Sequence, residues 1–137
     1  MATAPSASES TRLIQQIRAV LESRDMDGLA ELYTEDAILE EVSALHPPAH
    51  PNIARGREAI RTRLHEDNER DPVSGWERHL ASLRVLDAFE TSDALAFTLV
   101  REFLAGDKVI EQHLARKRDG CIHHDRILTA WDEAEPG

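Results

Sequence analysis

The sequence predicts an α+β domain, a curved and mostly antiparallel β-sheet with helices on one face, and three observations carry that expectation. Apolar stripes with helical period occupy the N-terminal half, β-patterned segments fill the C-terminal half, and short turns join those segments to one another. A single strand interrupts the helices, so the expected order is αα-β-α-ββββ.

Residues 1 to about 8 are small and polar and offer too little apolar surface to offset the entropy of ordering. A tail is therefore expected over residues 1–9, one domain over 10–132 and a second tail over 133–137. Leu13, Ile14, Ile17, Val20 and Leu21 form one stripe of a first helix, with Ser6 or Ser10 available as its cap. Asp25 is placed to cap a second, shorter helix whose apolar side is Met26, Leu29, Ala30, Leu32 and Tyr33, and Ala37 to Val42 then reads as a strand. Pro47, Pro48 and Pro51, with His46 and His50 among them, predict a semi-rigid loop without regular structure from Ser43 to Arg55. After Gly56, the run from Arg57 to Leu64 has strong helix formers and a thin apolar stripe, which predicts a third helix at an edge that frays near Asp71 and Pro72. The remaining strands are expected at about His79 to Phe89, Ala94 to Leu104, Val109 to Arg118 and Cys121 to Trp131, the last two joined by an Asp119-Gly120 hairpin turn.

At 137 residues with 41% apolar content the chain can bury one ordinary core. Sixteen Lys and Arg against 26 Asp and Glu give a formal charge of -10, which repels phosphate backbones and anionic headgroups, so neither nucleic acid nor membrane is an expected partner. No apolar run approaches the roughly 18 residues that a membrane span needs, and the first residues lack the pattern of a signal peptide. A cytoplasmic protein is expected. The single cysteine, Cys121, excludes an intrachain disulfide and a Cys-based zinc cluster.

The stretch from Arg24 to Glu41, with its Asp25-Met26-Asp27-Gly28 helix start, Tyr33 two residues before an acidic pair and a strand that opens on Ala37 and ends in acid, resembles the nuclear transport factor 2-like superfamily. Gly56-Arg57-Glu58-Ala59-Ile60-Arg61 resembles the family's third-helix opening, and Asp119-Gly120 followed by Ile122 its last turn. That superfamily includes ketosteroid isomerases, SnoaL-like polyketide cyclases, scytalone dehydratase and limonene epoxide hydrolase. The resemblance covers most of the chain from Leu13 to Trp131 and implies a cone-shaped sheet wrapped around an apolar pocket, with the three helices on its concave side and a homodimer through the outer face. The fold hosts enzymes, binding modules and association domains alike.

By that resemblance Glu41 stands where ketosteroid isomerases carry their general base, and a carboxylate in an apolar cone has its charged form disfavoured, as proton abstraction needs. The bland alternative is a rim acid. The isomerase's tyrosine and protonated acid fall at Ile17 and near Leu114, so the oxyanion donors are missing there and steroid isomerisation itself is rejected. The SnoaL-like cyclases suggest Asp125 and His113 as an acid and imidazole pair on neighbouring strands. A two-residue turn puts Asp125 opposite Leu114, whereas a bulge at Gly120 makes it face His113. Alternation puts His123, Asp125, Ile127 and Thr129 on one face, which the family comparison turns inward. In the rival reading His113 lies on the outer face with Glu111 and Lys117, and Asp125 pairs with Arg101 or Arg126.

Arg101 shares the face of Leu95, Phe97 and Leu99, also inward by the resemblance, and would need Glu41, Asp125 or a substrate anion as partner. Tyr33, Phe97, Leu99, Arg101 and Ile127 are thus the expected substrate contacts, although polar-tipped aromatics such as Tyr33, Trp76 and Trp131 are more often core or rim packing than ligand contacts. His46 with His50, and His123 with His124, lack a third ligand at metal-binding spacing, so no metal and no other cofactor is expected. The functional expectation is a cofactor-free enzyme acting by general acid/base chemistry on a hydrophobic oxygenated small molecule, as an isomerase, cyclase or dehydratase of polyketide-type metabolism. Glu41 and Asp125 would share acid and base roles, His113 would orient or relay, and Arg101 would hold a substrate oxygen. The alternatives are a non-catalytic ligand-binding or dimerisation module and an epoxide hydrolase.

Overall fold

A computed structural model describes residues 5–68, 80–104 and 106–132. Its helices are α1 (Pro5–Glu22), α2 (Met26–Ala30) and α3 (Arg57–Asn68), and its strands are β1 (Tyr33–Val42), β2 (Asn52–Arg55), β3 (Leu80–Glu90), β4 (Ala94–Phe103), β5 (Lys108–Arg118) and β6 (Cys121–Asp132). The strands form one curled, unclosed sheet in the order β2-β1-β6-β5-β4-β3, antiparallel throughout except where β1 runs parallel to β6. The inward faces of the helices and the sheet share one core: Ile17 and Leu21 of α1, Leu29 of α2, Ile60 and Leu64 of α3, and Leu95, Phe97 and Leu99 of β4 are all buried in it. Among the described residues no helix is long and apolar enough to cross a membrane.

Local signals explain the elements. Asp25 caps α2 by accepting the Gly28 N–H at 2.8 Å. Residue 28 is glycine because a Cβ there would lie 2.4 Å from Oδ2, the other oxygen of the capping carboxylate. The thin stripe of α3 is Ile60 and Leu64, both buried, and Gly56, at φ +91°, turns the chain from β2 into that helix.

Three expectations need correction. The first strand opens at Tyr33 rather than Ala37, so Tyr33 is not on the second helix. Ile122 N–H donates to Leu32 O at 2.8 Å and Tyr33 pairs with Ile122, which draws the chain into the sheet directly after α2. Second, the loop from Ser43 is regular at its end: Asn52–Arg55 follow the last proline with all their N–H groups available and pair with β1, Glu41 opposite Asn52. Third, α1 begins at Pro5, inside the segment assigned to a tail by composition. His79, Asp71, Pro72 and Trp76 lie outside the described residues.

The last hairpin follows neither register considered from sequence. Asp119 and Gly120 both have positive φ, +54° and +77°, and Arg118 pairs with Cys121 across a two-residue turn. The register then shifts, with Lys117 opposite Ile122 and Arg116 opposite His124, leaving His123 as the extra residue of a bulge. Asp125 therefore faces Ala115, and His113 faces Ile127. The inward face of β6 is Ile122, Asp125 and Ile127, and His123 does not belong to it.

Candidate functional site

Between the helices and the inner face of the sheet is a cavity with room for water-sized molecules over about 40 Å³. Its walls are mostly apolar, including Ile17, Leu29, Leu39, Leu64, Leu99 and Ile127, and its polar lining is Tyr33, Glu41, Arg63, Arg101, Glu111 and His113. Of the residues expected at the site, Tyr33, Glu41, Phe97, Leu99, Arg101, His113 and Ile127 line this space, and Asp125 lies directly behind the wall at 1% exposure.

A chain of hydrogen bonds connects the polar groups. The Tyr33 hydroxyl donates to Asp125 Oδ2 at 2.7 Å, and His113 Nδ1 is 3.1 Å from both Asp125 oxygens. On its other side His113 Nε2 is 3.0 Å from Glu111 Oε1, and Arg101 Nη1 donates to Glu111 Oε2 at 2.8 Å. Each ring nitrogen of His113 faces a carboxylate, so both carry hydrogens and the ring is an imidazolium. Phe97 stacks flat on it, 4.3 Å between centroids and 9° between planes. A second pair occupies the rim: Arg63 and Thr129 both donate to the Glu41 carboxylate, one to each oxygen.

Burial and neighbouring charge set the proton affinities. Burial opposes the charged form of His113, but the Asp125 charge and hydrogen bond, then those of Glu111, outweigh it and push the ring up to about 10. Burial also opposes ionisation of Glu111, yet the Arg101 charge and the His113 hydrogen bond hold its carboxyl well below the usual range. Tyr33 is raised well above an ordinary phenol, by burial first and by Asp125 second. Along Asp125, His113, Glu111 and Arg101, acidic and basic side chains alternate.

The rival placement of His113 fails on one count and holds on another. His113, Glu111 and Lys117 do share a face, as alternation requires, but that face is the inner one. Asp125 pairs with His113 and Tyr33, and Arg101 donates to Glu111. Leu114, aligned with the isomerase's acid, is 58% exposed on the outer face. Sequence reasoning missed Glu111 and Arg63 as pocket residues. Both had a signal, since Glu111 is two residues from His113 on one strand face and Arg63 is three from the inward Ile60 on α3.

Lys117 continues the same inner face to a separate buried ion pair: its Nζ is 2.6 Å from Glu90 Oε2, and Glu90 Oε1 accepts the Ile14 N–H of α1 at 3.1 Å. His123 and His124 diverge at the bulge, to Thr34 Oγ1 at 3.2 Å and Glu40 Oε1 at 3.0 Å respectively. Trp131 is 40% exposed. Among the described residues no three His, Cys, Asp or Glu side chains are grouped as a metal site requires.

No family model matches the sequence, and no curated protein matches it. Solved structures do match in shape. An NTF2-like protein of unknown function from Mesorhizobium loti superposes with a TM-score of 0.71 at 16% identity, covering 95% of this chain and 97% of the other. The chain has the nuclear transport factor 2-like fold. Other NTF2-like neighbours are a candidate ketosteroid isomerase from Kribbella flavida (TM-score 0.65, 16% identity, 95% and 82% covered) and a candidate isomerase from Bacillus subtilis (0.64, 18%, 93% and 90%). The NTF2-like likeness is one of fold, and the helices and cone expected from the sequence are its parts.

Proposed function

We propose that the NTF2-like cavity is a cofactor-free acid/base site for a hydrophobic oxygenated small molecule, acting as an isomerase, cyclase or dehydratase. The observation that carries this reading is the run of hydrogen bonds from Tyr33 through Asp125, His113 and Glu111 to Arg101, ending on an apolar space that Glu41 also lines. Buried charges are costly and are concentrated where chemistry uses them.

Asp125 has no face on the cavity, so it is a positioning residue, with Tyr33, for the imidazolium. Both His113 nitrogens hold their protons, which makes the ring a fixed positive centre rather than a base. Glu41 is the carboxylate assigned to proton abstraction. It takes a proton from the carbon beside a carbonyl, the electron pair moves to the carbonyl oxygen, and the His113 and Arg101 cations lower the energy of that oxyanion. Return of the proton to a different carbon completes an isomerisation.

Hydrogen–deuterium exchange tests the first step whatever the product. In D2O, with cyclopentanone as probe, the protein should accelerate exchange of the protons beside the carbonyl, and Glu41→Gln should remove that acceleration while keeping its melting temperature within a few degrees. Exchange no faster than buffer, or unchanged in Glu41→Gln, leaves the binding-module reading in its place.

We also propose a homodimer through the outer face of β5 and β6, where Ile110, Leu114 and Leu128 are exposed, Leu128 opposite Gln112 and so diagonal to both others. An apolar cluster of this kind on a sheet face is a common association surface.

A further inference from the structure

The space inside the cone, about 40 Å³, holds about three waters, so a larger guest enters only when a wall moves. The walls are tied in different ways. Strands β4, β5, β6 and β1 are joined by backbone ladders. Helix α3 is bound to β1 by Arg57, which donates to the Tyr33 carbonyl, and by Arg63, which donates to Glu41, while Arg61 binds it to Asp27 and Glu31 of the α2 region. Helix α1 supplies Ile17 and Leu21 to the lining and packs through apolar side chains, Leu13, Ile14, Ile17 and Leu21. Its hydrogen bond to the sheet comes from a backbone group, the Ile14 N–H that donates to Glu90 Oε1 at 3.1 Å.

That carboxylate is itself held. Lys117 Nζ lies 2.6 Å from Glu90 Oε2 and donates to the Thr91 carbonyl at 2.8 Å, which fixes the end of β3 to β5. The two side chains are 4% and 1% exposed, and neither is part of the cavity lining. Burying an ion pair carries a desolvation penalty that is relieved when the pair is uncovered, which an apolar contact in the same place would not offer. At the other end of α1, Arg24 has φ +56°, and the Arg24 and Asp25 N–H groups donate to Leu21 O and Val20 O in the tight turn that leads into α2.

From this we propose that α1 is the lid of the cavity, pivoting at Arg24 and latched to the sheet by Glu90, with Lys117 holding the latch. The inference rests on the reading of the cavity as a ligand site and adds the way in. Lifting Ile17 and Leu21 opens one apolar side of the space and leaves the bonds among Tyr33, Asp125, His113 and Glu111, all carried by the sheet, in place. Lids of this kind open locally, at lower cost than global unfolding.

Native-state amide hydrogen exchange on the full chain, read by NMR over a low urea series, tests the lid. In the wild type the amides of Ile17 and Leu21 should exchange at least about tenfold faster than the laddered amides of β5 and β6, with a smaller urea dependence. Glu90→Asp keeps the charge beside Lys117 and shortens the reach to Ile14, so it should speed exchange at Ile17 and Leu21 about tenfold, as loss of a hydrogen bond to a charged group does. Tyr33→Phe removes a bond that stays intact while the lid is open, so it should speed the β5 and β6 amides and leave Ile17 and Leu21 unchanged. Entry of cyclopentanone, followed at the Ile127 methyl, should quicken in Glu90→Asp by the same factor as the α1 amides.

Exchange of α1 together with β5 and β6 in the wild type overturns the lid. So do α1 amides that respond to Tyr33→Phe or ignore Glu90→Asp, and ketone entry that ignores Glu90→Asp. The ligand-site reading fails separately: independent opening of α1 with no binding of the ketone removes that reading and keeps the moving helix.

Discussion

His113 and Asp125 meet diagonally rather than face to face: His113 is opposite Ile127 and Asp125 opposite Ala115, yet Nδ1 lies 3.1 Å from both carboxylate oxygens. Diagonal neighbours on one face of an antiparallel pair are within reach of long side chains. The arrangement leaves the second Asp125 lone-pair set for Tyr33 and turns His113 Nε2 toward Glu111.

Asp125→Ala should be the most damaging single change at the site. It strands a buried imidazolium and a buried hydroxyl, and breaking a buried pair by removing one partner costs about 3–5 kcal/mol. Urea unfolding should show that loss as a lower midpoint, with Asp125→Asn intermediate. A midpoint within experimental error of the wild type would mean that the pair contributes nothing to stability.

Stability should fall on both sides of a plateau in mildly acidic solution. The folded value of His113, about 10, is above the ordinary 6.5 of an unfolded chain. Its contribution is therefore complete below pH 6.5 and is lost as pH rises toward 10. Glu111 has the opposite sign: its folded value is depressed below the ordinary 4.5, so its contribution is present above that pH and declines as pH falls below it. The ring resonances of His113 should not titrate between pH 5 and 8, and a midpoint near 6.5 in the NMR titration would contradict the two-carboxylate arrangement.

Tyr33→Phe keeps the ring and removes the donor to Asp125. The expected cost is about 1–2 kcal/mol, since Asp125 retains His113 as a partner. If Tyr33 positions the site, exchange activity falls as well, and Tyr33→Leu should be worse than Tyr33→Phe in stability because the packing is also lost.

Leu128→Glu should abolish self-association if the outer face of β5 and β6 is the dimer surface. Leu128 is 57% exposed, so the substitution disturbs no core. Sedimentation should give a dimer for the wild type and a monomer for the variant, with equal melting of the monomeric unit. A monomeric wild type would remove the proposal.

Much of the fold is legible in the sequence because periodicity reports burial: Ile17 and Leu21 mark α1, Phe97 and Leu99 mark β4, and Asp25 marks the start of α2. The pairing at the site is not, for a reason that period-2 alternation cannot see. One bulged residue, His123, changes which of Ile122 and His123 faces inward and shifts every later partner by one. Tyr33 is not placed by its spacing, because its helical distance from Met26 and Leu29 is the same whether the chain continues as helix or enters a strand. What decides is the distant Ile122 N–H and the Arg57 guanidinium, whose Nε and Nη2 both donate to the Tyr33 carbonyl at 2.9 and 2.8 Å.

The parallel contact of β1 with β6 joins the two ends of the fold, and the Tyr33 to Asp125 bond spans 92 positions of the sequence. Local hairpins close quickly, whereas contacts this distant must first overcome the entropy of a long loop. The His113 and Asp125 pair, 12 residues apart on one hairpin, can therefore assemble early, and Tyr33 and Glu41 reach it only when the first strand docks. During synthesis β2-β1 and β5-β4-β3 stay unjoined until β6 has left the ribosome, so a chain arrested before Cys121 should have two separate sheet fragments and no site.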